Sequence, residues 1–245
     1  MQYTFEPIGI VHSCYKDKFA IPRQARLVTA ATAEIELYPP YNEIEATRGM
    51  EDFSHLWISF IFHRHADKGW NTTVKPPRLN GKQRFGVFAT RASFRPNPIG
   101  LSLVELDSIE QQGARLLIHI KGADLLDQTP VIDIKPYIPY SDSIADARGG
   151  FTEQIKEQPF HVFFSPHADR ECEIASKKFP HIRQFIEQLL SLDHRPYYYK
   201  NIEKLYSTRV YDYDLKWLIN GHNVEVISLF KGSESLILPQ LFKFV

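Results

Sequence analysis

The sequence has few cysteines, no long apolar run and no excess of charge of either sign. Its 245 residues include two cysteines, Cys14 and Cys172, and equal numbers of basic and acidic residues, 29 each. A fold held together by disulfides is therefore excluded, and such cysteine usage is typical of a reducing compartment. The longest apolar run, residues 56–62, is only of strand length, so we expect no membrane span. Since the amino terminus lacks the basic and apolar regions of a secretory signal, we expect a cytoplasmic protein.

The motifs of several common enzyme classes are also missing. The chain has neither Gly-x-Gly-x-x-Gly nor Gly-x-x-x-x-Gly-Lys-Ser/Thr, so the usual dinucleotide and phosphate-binding loops are excluded. No Gly-x-Ser-x-Gly is present, and covalent catalysis is not indicated. His12 and Cys14, like His63 and His65, lie two residues apart, but neither spacing matches a closed zinc site. We therefore expect no metal.

Short β-rich segments bounded by turn residues fill the first half of the chain. Only residues 41–53 predict a helix there, so alternating strand–helix units are not expected. About seven short strands in roughly 140 residues favour a single sheet closed into a β-barrel, because closure removes unpaired edges. The fold class is thus mainly β. The predicted strands are residues 4–11, 32–38, 55–62, 84–89, 101–109, 115–120 and 131–134.

A polar stretch after residue 140 separates the β-rich first half from a part of the chain that also contains predicted helices. We predict a barrel domain over residues 1–145, a linker over 146–158 and a small α+β domain over 159–245. In the last part, Pro180 separates two predicted helices, and Asn220-Gly221 predicts a hairpin. The helices are residues 169–178 and 181–192, and the strands are residues 160–164, 205–214, 215–219 and 224–229.

Positive charge is concentrated between residues 60 and 95. This window holds eight basic residues and one acid, Asp67, together with aromatic side chains such as Trp70 and Phe85. Phosphates attract such charge and exposed bases stack on aromatic rings, so the pattern indicates a nucleic-acid partner. A solvated loop would carry the same charge, and that alternative stays open. The basic residues are Arg64, Lys68, Lys75, Arg78, Lys82, Arg84, Arg91 and Arg95.

Two proline-containing connectors are candidate binding loops. In residues 91–100, Pro96 and Pro98 restrict the backbone, so this loop holds Arg91 and Arg95 in fixed directions. The turn Asp127-Gln128-Thr129-Pro130 offers backbone groups and a hydroxyl to a polar ligand. A rigid turn without a ligand explains either pattern equally well.

The sequence carries a set of motifs that closely resembles the motifs of one known family. The motifs occur in order across residues 4–140. They are Pro7-Ile8-Gly9, Pro22-Arg23-Gln24, Phe53-Ser54-His55-Leu56-Trp57, Pro76-Pro77-Arg78, Gly86-Val87-Phe88-Ala89-Thr90-Arg91, Arg95-Pro96-Asn97-Pro98-Ile99-Gly100 and Asp133-Ile134-Lys135-Pro136-Tyr137. Together they are similar to the motifs of the TrmO (YaeB, TsaA-like) family. Through Asp193-His194-Arg195-Pro196-Tyr197, the carboxy-terminal part also resembles the longer bacterial members.

The resemblance implies a β-barrel methyltransferase that uses S-adenosylmethionine. Its acceptor would be N6 of the threonylcarbamoylated adenosine beside the anticodon of tRNA. It also implies a homodimer with the cofactor near the subunit boundary. Gln128 stands where many members have Gly, which accepts a positive φ more readily. The cofactor contacts implied by motif are Pro22, Arg23, Gln24, His63, Arg64, Arg91, Leu101, Asp127, Gln128, Thr129 and Pro130.

Methyl transfer from a sulfonium is an in-line displacement, so the protein mainly has to hold donor and acceptor in line. We expect Arg91 and Arg95, with Asn97 beside them, to position the acceptor, because a planar guanidinium binds carboxylates and phosphates through two hydrogen bonds. No residue is predicted as the base. Two alternatives stay open, namely a non-catalytic RNA-binding or regulatory barrel and a methyltransferase with a different acceptor.

Overall fold

Short antiparallel strands dominate the first half of the chain. The computed structural model describes residues 3–76, 79, 83–155, 158–194 and 204–232. Buried and half-exposed side chains alternate along these strands, as where Leu56, Ile58 and Phe60 point inward from one strand. The strands are β1 (Gly9–Ser13), β2 (Thr32–Leu37), β3 (His55–Ile61), β4 (Thr73–Val74), β5 (Phe85–Gly86), β6 (Ile99–Gln112), β7 (Arg115–Lys121) and β8 (Thr129–Pro136).

Six of these strands close into a barrel in the order β1-β2-β7-β6-β3-β8. All neighbouring pairs are antiparallel. Because β8 also pairs with β1, the sheet is closed and has no free edge. The predicted mainly β fold with a closed barrel is confirmed, with six strands in the barrel in place of about seven. Aliphatic side chains fill the interior, among them Val11, Ile35, Leu56, Ile58, Val104, Leu116, Ile118, Ile120 and Val131.

Two local predictions in this half are wrong. The segment 84–89 contains only the two-residue strand β5 and a 3-10 turn, Val87–Ala89, because β5 pairs with the equally short β4 outside the barrel. The segment 41–53 forms two separate 3-10 turns in place of one helix. Gly49 lies between the turns in the left-handed region, with φ of 81°, which interrupts any continuous helix. The two turns are Ile44–Thr47 and Met50–Asp52.

The carboxy-terminal unit is a four-stranded sheet with two helices packed against it. Its strand order is β10-β11-β12-β9, and β9 runs parallel to β12. The predicted small α+β architecture is therefore confirmed. The elements from the end of the barrel onward are α1 (Pro139–Asp142), β9 (His161–Phe164), α2 (Pro166–Ser176), α3 (Ile182–Ser191), β10 (Leu205–Val210), β11 (Tyr213–Asn220) and β12 (Asn223–Lys231).

Local sequence signals explain two of these boundaries. The Ser165 hydroxyl accepts a hydrogen bond from the Ala168 N–H at 3.1 Å and caps α2. Asn220-Gly221 starts the tight connection between β11 and β12, as predicted. The predicted strand break after Asp214 is misplaced, because the chain turns at Tyr211, whose φ is 49°.

Two hydrophobic cores hold the structure together. One fills the barrel, and the other lies between α2, α3 and the second sheet. The second core also contains Tyr15, Val28 and Ala31, which belong to the connection between β1 and β2. The first half and the carboxy-terminal unit thus share a core, while the boundaries at residues 145 and 159 stay a prediction. Among the described residues, no helix is long and apolar enough to cross a membrane.

Candidate functional site

A cleft of about 500 Å³ opens at the end of the barrel where β3 finishes and β6 and β8 begin. The connection between β1 and β2 forms one wall, and the proline-rich loop before β6 contributes to another. The barrel brings together four segments that lie far apart in the sequence. The lining residues are Lys18, Ile21–Gln24, Phe60–His65, Thr90, Arg91, Ser93, Arg95, Ile99–Leu101, Asp124, Leu126 and Thr129.

Most of the cofactor contacts expected from the sequence lie in this cleft. Arg95, expected to position the acceptor, lies there too. Asp127, Gln128, Pro130 and Asn97 are not among the lining residues. The expected cofactor residues that do line it are Pro22, Arg23, Gln24, His63, Arg64, Arg91, Leu101 and Thr129.

Asp127 instead fastens the connection between β1 and β2 to the start of β8. Its Oδ1 accepts a hydrogen bond from the Ser13 N–H at 2.8 Å, and its Oδ2 pairs with Lys16 Nζ at 2.8 Å. Gln128 is exposed and adopts a φ of 64°, the left-handed conformation that a glycine would accept more easily. Both residues therefore shape the turn from outside the cleft.

Arg91 and Arg95, the two arginines expected to position the acceptor, make different contacts. Arg91 donates from Nη1 to Gln24 Oε1 at 2.5 Å, which joins two of the expected cofactor residues across the cleft. Arg95 donates from Nη1 to the carbonyls of Val87 and Thr90, at 3.1 and 2.8 Å. Arg95 thus fixes the turn before Arg91 while it lines the same cleft.

The cleft is strongly cationic. Five basic side chains line it, and Asp124 is the one acid among the lining residues that the structure describes. Burial, together with nearby Lys68 and Arg64, lowers the pKa of Lys18. An anionic ligand would relieve this repulsion. The basic residues of the cleft are Lys18, Arg23, Arg64, Arg91 and Arg95. Arg78 and Lys82 of the predicted cationic window lie outside the described residues.

The surroundings of the cleft histidines favour their neutral form. Burial lowers the pKa of His63 and of His65, and the positive charge of Lys18 adds to both shifts. The Nε2 atom of His63 is buried and has no hydrogen-bond partner within the described part of the chain. A buried polar atom in a cleft wall is suited to a ligand that supplies the missing hydrogen bond.

The cleft floor is apolar and depends on a glycine. A Cβ at Gly100 would lie 2.2 Å from the ring of Phe60, so glycine lets that ring lie against β6. Phe62 packs edge-on against Phe60 with centroids 5.0 Å apart. An apolar floor can contact a planar ring, and an unsatisfied imidazole and several guanidinium groups can bind polar groups and a carboxylate; S-adenosylmethionine has an adenine ring and a carboxylate.

Asp124 is a cleft residue that the sequence did not single out. Its Oδ1 accepts a hydrogen bond from Ser102 Oγ at 2.5 Å, and burial raises the pKa of its carboxyl group. The acid-rich run around residues 124–133 was a signal, but only the fold shows which of its acids enters the cleft. Within the described ranges, no group of three His, Cys, Asp or Glu side chains is arranged to hold a metal.

Comparisons with known proteins agree with this geometry. Residues 10–143 match the model of the tRNA-methyltransferase O N-terminal domain, and residues 157–232 match the TrmO C-terminal domain. The tRNA (adenine(37)-N6)-methyltransferase of Escherichia coli (strain K12) is 42% identical over 229 residues, which are 93% of this chain and 97% of that protein.

Two further similarities cover most of the chain. A Pseudomonas aeruginosa protein classed as an S-adenosylmethionine-dependent methyltransferase is 42% identical over 219 residues, 89% of this chain and 93% of its own. The crystal structure of TrmO from Pseudomonas aeruginosa has a TM-score of 0.77 at 37% identity and covers 94% of this chain and 99% of that chain. Because both family domains occur in order, this chain belongs to the TrmO family of tRNA methyltransferases.

Proposed function

We propose that this protein transfers a methyl group from S-adenosylmethionine to N6 of N6-threonylcarbamoyladenosine at position 37 of tRNA. The observation that carries the proposal is the cationic cleft with an apolar floor, whose lining residues all lie within the span that matches the N-terminal family model. Such a cleft can hold a cofactor with a carboxylate beside an acceptor that has a carboxylate and phosphates of its own.

The cofactor would be held by residues from both walls of the cleft. Arg23 and Arg64 supply positive charge for its carboxylate, the neutral His63 supplies a hydrogen bond through Nε2, and Phe60 and Leu101 supply apolar surface. When bound, S-adenosylmethionine supplies an electrophilic methyl group on a positively charged sulfur.

The acceptor side would depend on the proline-stiffened loop. Arg91 binds the carboxylate of the threonylcarbamoyl group or a flanking phosphate, and Arg95 holds the turn that aims it. Asn97 lies in the same loop, outside the cleft lining, and we propose that it supports the loop's shape. Asp124 would accept the proton that leaves N6, because it is the one acid among the described lining residues and its raised pKa makes it a stronger base.

The protein would act on the anticodon loop in the cytoplasm as a homodimer. Leu101 and Ile99, which line the cleft, are 54% and 36% exposed on the outer side of β6. Apolar side chains at this position support a subunit boundary that runs beside the cofactor. A second copy would then shield the cleft from water.

The test is transfer of labelled methyl from S-adenosylmethionine to two matched tRNA pools. One pool carries the threonylcarbamoyl group on the adenosine beside the anticodon, and the other lacks it. Label only in the modified pool is expected. Equal label in both pools would indicate a different acceptor, and no label together with no cofactor binding would indicate a non-catalytic RNA-binding barrel.

A further inference from the structure

The connection between β1 and β2, residues 14–31, has two faces with different neighbours. On one face, Lys18 and the segment Ile21–Gln24 line the cleft. On the other face, Tyr15, Val28 and Ala31 are buried in the core of the carboxy-terminal unit. This cofactor loop, as we call residues 14–31, is therefore enclosed between the barrel and that unit.

Backbone hydrogen bonds tie the start of the cofactor loop to the turn between β10 and β11. The Tyr211 N–H donates to the Cys14 carbonyl at 2.8 Å, and the Lys16 N–H donates to the Arg209 carbonyl at 3.3 Å. The Arg209 N–H in turn donates to Asp17 Oδ2 at 2.8 Å. The loop thus extends the second sheet before it enters the cleft wall.

An aromatic stack anchors the middle of the loop. The Phe19 ring lies 6.1 Å from Tyr206, with planes 3° apart, and 6.1 Å from Trp217. Its neighbour in sequence, Lys18, faces the cleft and donates to the Arg64 carbonyl at 3.3 Å. The position of the cleft wall is therefore coupled to two rings of the carboxy-terminal sheet.

The Gln188 side chain of helix α3 forms hydrogen bonds with the end of the loop. Gln188 accepts a hydrogen bond from the Ala30 N–H through Oε1 at 2.9 Å and donates from Nε2 to Thr29 Oγ1 at 3.0 Å. Gln188 is not a cleft residue. Its two bonds connect α3 to the loop that carries Arg23 and Gln24.

We propose that the carboxy-terminal unit orders the cofactor loop, with Phe19 and Gln188 as positioning residues for S-adenosylmethionine binding. The inference rests on the proposed function, because it takes the cleft as the cofactor site. A loop fixed before binding loses less conformational freedom when the ligand arrives, so the affinity is higher. The unit thereby contributes to the cleft without placing a side chain in it.

The first test uses Gln188, because it is only half-buried and its variants should fold. Gln188→Leu keeps the shape but removes both hydrogen bonds, and Gln188→Glu keeps the acceptor for Ala30. Calorimetric titration of the full-length protein with S-adenosylmethionine should show a Kd increase of about fivefold for Gln188→Leu and little change for Gln188→Glu. Gln184→Leu is the matched control, since Gln184 is exposed on the same helix.

The second test uses Phe19. Phe19→Ala should raise the Kd and the KM for S-adenosylmethionine by about tenfold or more and leave kcat nearly unchanged, while Phe19→Tyr should restore binding. Thermal unfolding is followed in parallel, with binding measured well below each Tm. A lower Tm with wild-type Kd in both Phe19→Ala and Gln188→Leu would overturn the inference. If the wild-type protein itself bound no S-adenosylmethionine, the proposed function would fail instead.

Discussion

The cleft and the outer surface of the barrel differ in whether their charged side chains have partners of opposite charge. On the outer surface, Glu36 accepts two hydrogen bonds from Arg115, at 2.7 and 2.9 Å, and one from His12 at 2.8 Å. His119 lies between Glu110 and Glu34 at 3.2 and 3.5 Å. We call this set of pairs on β1, β2, β6 and β7 the paired face. Each of its charges has a partner within the fold.

In the cleft, several cations lack such a partner. Within the part of the chain that the structure describes, no ion pair involves Lys18, Arg64 or Arg91. Unpaired cations close to one another oppose folding, and a partner from outside the chain removes that penalty. The difference separates charges that stabilise the barrel from charges that await a ligand.

The largest effect is expected from replacing the cleft arginines. Arg91→Lys and Arg95→Lys keep the charge but lose the planar fork, so each should lower kcat/KM for methyl transfer by about 100-fold. Arg115→Lys on the paired face is the matched control and should change kcat/KM by less than about twofold. Wild-type turnover in both cleft variants would show that these arginines do not position the substrate.

The two regions should also lose stability in different pH ranges. The hydrogen bonds from Arg115, followed by that from His12, lower the pKa of Glu36 from 4.5 to about 2. The stability that Glu36 contributes to the fold is therefore present above pH 4.5 and is lost as the pH falls towards 2. Burial lowers the pKa of His63 and His65 below 6.5, so the unfolded chain binds more protons just below that pH and stability falls as the pH drops from 6.5.

Thermal unfolding of two variants separates these contributions. When the pH falls from 7.5 to 5.5, the Tm of His63→Gln should fall less than the Tm of the wild type. The two falls in Tm should differ by about 3 °C at most, because the ring is only partly buried. Glu36→Gln should follow the wild-type slope in that range and flatten it only below pH 4.5. A flattened slope between pH 7.5 and 5.5 for Glu36→Gln would contradict the separation.

The barrel and much of the cleft could be predicted from the sequence because their signals are local. Alternating apolar residues predict β3, and Pro96 and Pro98 predict a stiff loop that holds Arg91 and Arg95. The excess of positive charge before residue 95 also lies in one stretch of chain. Motifs then indicated which residues would share a site.

Other features depend on packing between distant segments and could not be predicted. Asp124, in the connection between β7 and β8, lines the cleft and accepts a hydrogen bond from Ser102 of β6. The aromatic stack of Phe19 needs β10, which begins nearly 190 residues later, at Leu205. Glu36 meets Arg115 only through the register of β2 and β7. No period or motif in the sequence encodes these contacts.

The smallest effect is expected at Gln128, which tests where the cleft ends. Its φ of 64° is strained for a residue with a Cβ, so Gln128→Gly should stabilise the fold by about 0.5 kcal/mol in urea unfolding. Gln184→Gly, in the exposed part of α3, should destabilise the fold by about 1 kcal/mol.

The Gln128 side chain reaches His12 at 3.4 Å, so it belongs with the paired face. The Kd for S-adenosylmethionine should therefore stay within about twofold of the wild type in Gln128→Gly. A larger change would place this turn in the cofactor site and extend the cleft lining from Thr129 to Gln128.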